Sequence, residues 1–128
     1  MTSYPQITDM GFMHLVDALS KFNLSTIAMS FGTTETSTTI NISDEMVKKL
    51  CRLIKNREEL KELDLNLRHR ISIGNETVIA LKESLMNLRG LTKVHIYLDG
   101  TRADPLYTRQ LEKMLKTVKK ISDVLITV

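Results

Sequence analysis

Four stretches of this chain share one spacing of apolar residues, and that spacing limits what the chain can fold into more than any other feature. Leu60, Leu63, Leu65 and Leu67 occupy positions 1, 4, 6 and 8 of an octet in which Asp64 and Asn66 separate the last three leucines. Alternation with period two is the pattern of a strand with one buried face and one wet face. The same spacing recurs as Leu24, Ile27, Met29 and Phe31, as Leu91, Val94, Ile96 and Leu98, and as Ile121, Val124, Ile126 and Val128. The octets start 36, 31 and 30 residues apart, a period at which self-similarity signals stacked repeats.

A segment of helical spacing precedes each octet. In the first, Phe12, Leu15, Leu19 and Phe22 recur at intervals of three and four residues, with Thr8 or Asp9 as N-cap. The second follows Ser43 as cap and carries Met46, Val47, Leu50, Leu53 and Ile54 on one stripe. The third starts near Asn75, aligns Val78, Leu81, Leu85 and Leu88, and breaks at Gly90. The fourth has Asp104 as cap and Pro105 in the first turn, then Leu111, Met114, Leu115 and Val118. Gly32 to Thr39 contain no apolar residue and read as a loop, which accounts for the longer first period.

The units agree beyond their strands. Ile42, Ile73 and Ala103 each precede an octet by 18 residues, Ile7 precedes the first by 17, and eight residues after these markers stand Leu50, Leu81, Leu111 and Leu15. A single domain over 1–128 is expected, with helix–strand units at about 7–31, 42–67, 73–98 and 103–128.

Alternating helices and strands suit either a sheet covered on both faces or a sheet covered on one. The strands discriminate. A parallel sheet buried on both faces needs nearly continuous apolar strands, whereas Glu62, Asp64 and Asn66 occupy alternate positions of the second octet and Lys93, His95 and Tyr97 those of the third. An unpaired buried carboxylate would cost several kcal/mol, of the order of a domain's net stability. All helices are therefore expected on one face of one parallel sheet. The octets with helices between them resemble the leucine-rich repeat, in its longer, helix-containing variety typified by ribonuclease inhibitor. The resemblance runs from about Ile7 to Val128 and implies a short right-handed α/β solenoid. Where that family carries the Asn or Cys that pins the turn after the strand, this chain has Gly32, Arg68 and Asp99, so a differently built turn is expected.

Composition narrows the functional classes. The single cysteine, Cys51, allows neither an internal disulfide nor a cysteine-based metal cluster, and a packed thiol in a reducing compartment is expected. No run approaches the roughly 18 apolar residues of a membrane span, and the N-terminus lacks the pattern of a signal or transit peptide. An intracellular protein is the reading, cytoplasmic by default, with a mature organellar subunit compatible too. No glycine-rich phosphate loop ending in Lys-Ser/Thr occurs. His14, His69 and His95 lie in different units without metal-ligand spacing, and nothing resembles a nucleophile elbow. The expectation is a non-enzymatic chain without cofactor, metal or small-molecule substrate.

The open face is the candidate site. Its rows are Thr26, Ala28, Ser30; Glu62, Asp64, Asn66; Lys93, His95, Tyr97; and Asp123, Leu125, Thr127. Such surfaces of stacked repeats are rigid and broad and commonly receive partners. Asp64, Asn66, His95, Tyr97, Leu125 and Thr127 are the residues expected to touch another protein chain. The apolar last strand has no following repeat, so its edge is expected to dock within a larger assembly. The reading is a protein-interaction scaffold or accessory subunit. The alternative is a subunit contacting RNA or another nucleic acid through Lys48, Lys49, Arg52, Lys55, Arg57, Arg68, Arg70, Lys113, Lys116, Lys119 and Lys120, consistent with the mildly basic net charge of +3; a small compact α/β enzyme domain is the remaining reading.

Overall fold

The computed structural model describes residues 14, 18, 24–31, 42–55 and 57–128. Within them, four strands alternate with three helices: β1 (Thr26–Ser30), α1 (Asp44–Ile54), β2 (Glu62–Asn66), α2 (Asn75–Met86), β3 (Lys93–Tyr97), α3 (Pro105–Lys113) with its π-helical extension (Met114–Val118), and β4 (Asp123–Thr127). The expected first helix lies almost wholly outside the described residues, as do Ile7 and the Gly32 to Thr39 loop. His14 and Ala18 are helical and exposed.

The strands form one parallel sheet in the order β1-β2-β3-β4. Thr26 pairs with Glu62, Glu62 with Lys93, and Lys93 with Asp123. These offsets equal the spacings between octets, so alignment of the repeats is the register of the sheet.

Burial follows the alternation. Leu63, Leu65, Val94 and Ile96 are at most 1% exposed and join Val47, Leu50, Ile54, Val78, Leu81, Leu85 and Leu111 of the helices in one core. Full burial of such a side chain is worth about 1.5 to 3 kcal/mol. The polar alternates remain partly or fully accessible. All described helices thus cover one face of the sheet, and the other is open. The fold is a short leucine-rich-repeat-like α/β solenoid.

The helix starts follow their caps. The Ser43 hydroxyl accepts the Met46 N–H at 3.4 Å and the Asp104 carboxylate accepts the Leu106 N–H at 2.9 Å, with Pro105 in the first turn. At α2 the cap is Gly74, which has no side chain to offer; Asn75, one residue on, reaches the next unit instead and accepts the Asp104 N–H at 2.7 Å. Asp44 does the same one unit earlier, accepting the Gly74 N–H at 3.0 Å and the Thr77 hydroxyl at 2.5 Å. First-turn residues of α1 and α2 therefore tie successive units together.

One local feature differs from the expectation. Val118, placed on the apolar stripe by α-helical spacing, is 65% exposed. The π-helical turn that contains it holds more residues per turn than an α-helix, so Met114 and Leu115 stay buried while Val118 rotates out of the stripe. The turns after β2 and β3 are closed by left-handed residues, His69 (φ 63°) and Gly100 (φ 74°), at equivalent repeat positions. A Cβ on Gly100 would stand 2.5 Å from His69 Nδ1, so these turns nest closely and only glycine fits the second. Gly90 is needed for a different reason: a Cβ there would stand 2.8 Å from the Glu58 carbonyl oxygen.

Candidate functional site: the open sheet face

The register assembles the twelve expected side-chain positions into three rows across the strands: Thr26, Glu62, Lys93, Asp123; Ala28, Asp64, His95, Leu125; and Ser30, Asn66, Tyr97, Thr127. Neighbours in a row are about 4.8 Å apart, the spacing of paired strands. Asp64, Asn66, His95, Tyr97, Leu125 and Thr127 all lie on this face, contiguous in the two rows nearer the strand C-termini.

Hydrogen bonds order much of the grid. The Thr26 hydroxyl donates to Glu62 Oε2 at 3.0 Å. His95 Nε2 lies 2.8 Å from Asp123 Oδ1; a carboxylate only accepts, so His95 carries its proton on Nε2. Asn66 Oδ1 accepts the backbone N–H of Arg68 at 3.0 Å, holding the chain as it leaves β2. The Arg68 guanidinium then lies over the Tyr97 ring, 4.4 Å from its centroid, with Nε 3.7 Å from Asp99 Oδ2. Asp99 also accepts from the Thr127 hydroxyl. Tyr97 is thus a stiff, half-buried aromatic surface clamped at one end of the face. Among the described residues, Asp64 alone of the three carboxylates in the grid makes no hydrogen bond or ion pair.

Sequence reasoning missed Arg68 and Asp99 as parts of this site. Both stand at the repeat position following the octet, where the resemblance called only for a turn residue, and nothing in the spacing shows that Arg68 folds back over Tyr97.

The basic residues form no comparable arrangement. Lys48 pairs with Glu45 at 3.1 Å and Glu76 at 3.5 Å, Arg57 with Glu59 at 3.6 Å, and Lys116 with Glu112 at 3.7 Å. The Lys119 ammonium donates to the Met86 carbonyl at 2.9 Å, and Arg70 donates to the Phe31 carbonyl, with burial drawing its guanidinium pKa below the usual value. Much of the positive charge is therefore engaged within the fold.

Behind the sheet, a groove of about 560 Å³ between α1 and α2 is lined by Lys48, Cys51, Arg52, Ile79, Glu83 and Ser84, among others. Cys51 is a free, buried thiol, and burial pushes its pKa up to about 11, an effect opposed by a hydrogen bond with Ser84 and by Arg52. It stays protonated at neutral pH and is a packing residue, not a nucleophile. The native state then holds a proton that the unfolded thiol releases near pH 9.0, so this contribution to stability is intact below that pH and is lost as pH rises towards 11. The loss should reach about 2 to 3 kcal/mol. Urea unfolding at about pH 8 and about pH 10 should show a drop that is smaller in Cys51→Ala.

Among the described residues no three His, Cys, Asp or Glu side chains converge to hold a metal ion, and no described helix is long and apolar enough to cross a membrane.

No family model and no curated protein sequence matches the chain. The fold is similar to a solved structure described as the actin-binding site 2 of leiomodin-1, with a TM-score of 0.69 and 15% identity over 95% of this chain. The chain spans 65% of the length of that structure. At this identity the likeness is one of fold alone.

Proposed function

We propose that the chain is a non-enzymatic protein-interaction module, a scaffold or accessory subunit of a larger intracellular assembly, built as a single repeat domain of the ribonuclease-inhibitor-like variety. Its partner is another protein chain, received by Asp64, Asn66, His95, Tyr97, Leu125 and Thr127 and by the edge of β4. The observation that carries the reading is an ordered sheet face that no described helix covers, presenting the clamped Tyr97 ring and Leu125, an apolar residue 40% exposed. Rigid aromatic and apolar anchors on a preformed surface lower the entropic cost of association. The edge adds to this: Val124 and Ile126 are only half-buried, while their register partners Val94 and Ile96 are fully buried, so β4 offers both backbone groups and apolar surface to a neighbour. The leiomodin-1 structure, described as an actin-binding site, supports the reading to the extent that a similar fold there serves protein binding.

Affinity capture with wild-type chain and with the double variant Tyr97→Ala, Leu125→Glu tests this. Co-purifying protein chains should be lost with the double variant and kept with Lys49→Glu on the helix side. Capture that is the same for all three, or that is abolished only by Lys49→Glu, would overturn the proposal.

A further inference from the structure

We infer that the segment this face receives is basic, a peptide or loop with arginine or lysine interspersed with apolar residues, whose central cation sits on Asp64. The inference rests on the proposal that the open face is the docking surface, and it adds the chemistry of the occupant. The grid and the remainder of the chain differ in the sign of their charge. In the twelve-residue grid Glu62, Asp64 and Asp123 oppose the single Lys93, a net of two negative charges when histidine is left out of the count, so the rest of a chain whose net charge on the same count is +3 sums to +5. The grid therefore attracts a basic partner and disfavours an acidic partner or a nucleic acid.

Within the face, the three carboxylates are not equivalent. Glu62 is held by Thr26 and Asp123 by His95. Asp64 is half-buried in the second strand and makes no hydrogen bond or ion pair among the described residues. Its register neighbours are Ala28, whose methyl group leaves room above the sheet, and His95, whose Nε2 proton is directed to Asp123. A cation arriving over Ala28 meets a carboxylate with its acceptor sites free. Tyr97, one strand across and one row along, and Leu125, two strands across at about 10 Å, then meet apolar side chains that follow that cation on the β3–β4 side. The neutral Arg68–Asp99 pair closes the Tyr97 end of the surface.

The test uses the full chain and two labelled peptides, one of arginine interspersed with leucine and one of glutamate interspersed with leucine, with a labelled RNA oligonucleotide as a third probe. The arginine peptide should bind best, and Asp64→Asn should weaken it roughly tenfold, near the lower end for a close charge pair at an interface. Tyr97→Ala should weaken either peptide that binds this face, and Lys49→Glu should not weaken the arginine peptide. Preference for the glutamate peptide with sensitivity to Tyr97→Ala would overturn this inference and leave the docking face standing. Binding insensitive to Asp64→Asn and to Tyr97→Ala would overturn both. Preference for RNA, or self-association of the chain abolished by Asp64→Asn, would also overturn the assignment of a basic protein segment.

Discussion

Leu65→Ala is expected to lower the unfolding free energy by about 2 to 5 kcal/mol. Leu65 is fully buried in β2, with Met29 and Ile96 as its register partners in β1 and β3. Strands on both sides and helices beneath leave the site little freedom to collapse, so truncation removes transfer energy and leaves a cavity as well. Its sequence neighbour Asn66 points the other way. Alternation alone assigns Asn66 to solvent, where alanine would cost within about 0.5 kcal/mol. The structure adds the 3.0 Å bond from the Arg68 N–H to Asn66 Oδ1, which raises the expected cost of Asn66→Ala to about 1 kcal/mol. Urea denaturation of both variants measures the difference; equal losses would contradict the assigned faces.

Asp44→Ala is expected to cost about 2 to 4 kcal/mol, a large effect for a half-buried residue in the first turn of a helix. Its carboxylate accepts from Gly74 and from Thr77. Thr77 is fully buried in the core, so removing the acceptor strands a hydroxyl that water cannot reach. The favourable charge at the start of α1 goes as well. Because these bonds join one unit to the next, the loss falls on the contact between repeats, the term that makes a repeat array cooperative. Asp44→Asn keeps a carbonyl acceptor and should lose less than half as much. Thermal unfolding of the two variants distinguishes them, and a loss within about 0.5 kcal/mol for Asp44→Ala, the size of an ordinary surface change, would contradict this role.

The octets and their periods determine strand identity, register and face, because a parallel repeat pairs each residue with its equivalent in the next unit. Leu63, Val94 and Val124 can be aligned on paper and are partners in the sheet. The helix stripes are legible for the same reason, up to the point where the backbone leaves the α-helix. Val118 shows that limit, since its exposure follows from a π-helical turn whose cause is not local composition. The membership of the open face was legible residue by residue, while its internal order was not. Whether Asn66 bonds the next turn, Arg68 lies on Tyr97 or Asp123 bonds His95 depends on side-chain torsions and on turns closed by His69 and Gly100. Periodicity carries no record of these.

The most direct test is thiol accessibility along β3. In a Cys51→Ala background, single cysteines replace Val94, His95, Ile96 and Tyr97 in turn, and each native protein is treated with a thiol-reactive label. His95→Cys and Tyr97→Cys should react readily, and Val94→Cys and Ile96→Cys only on unfolding. Protection of all four positions alike would mean that both sides of the sheet are covered, and would contradict the open face on which the functional account stands.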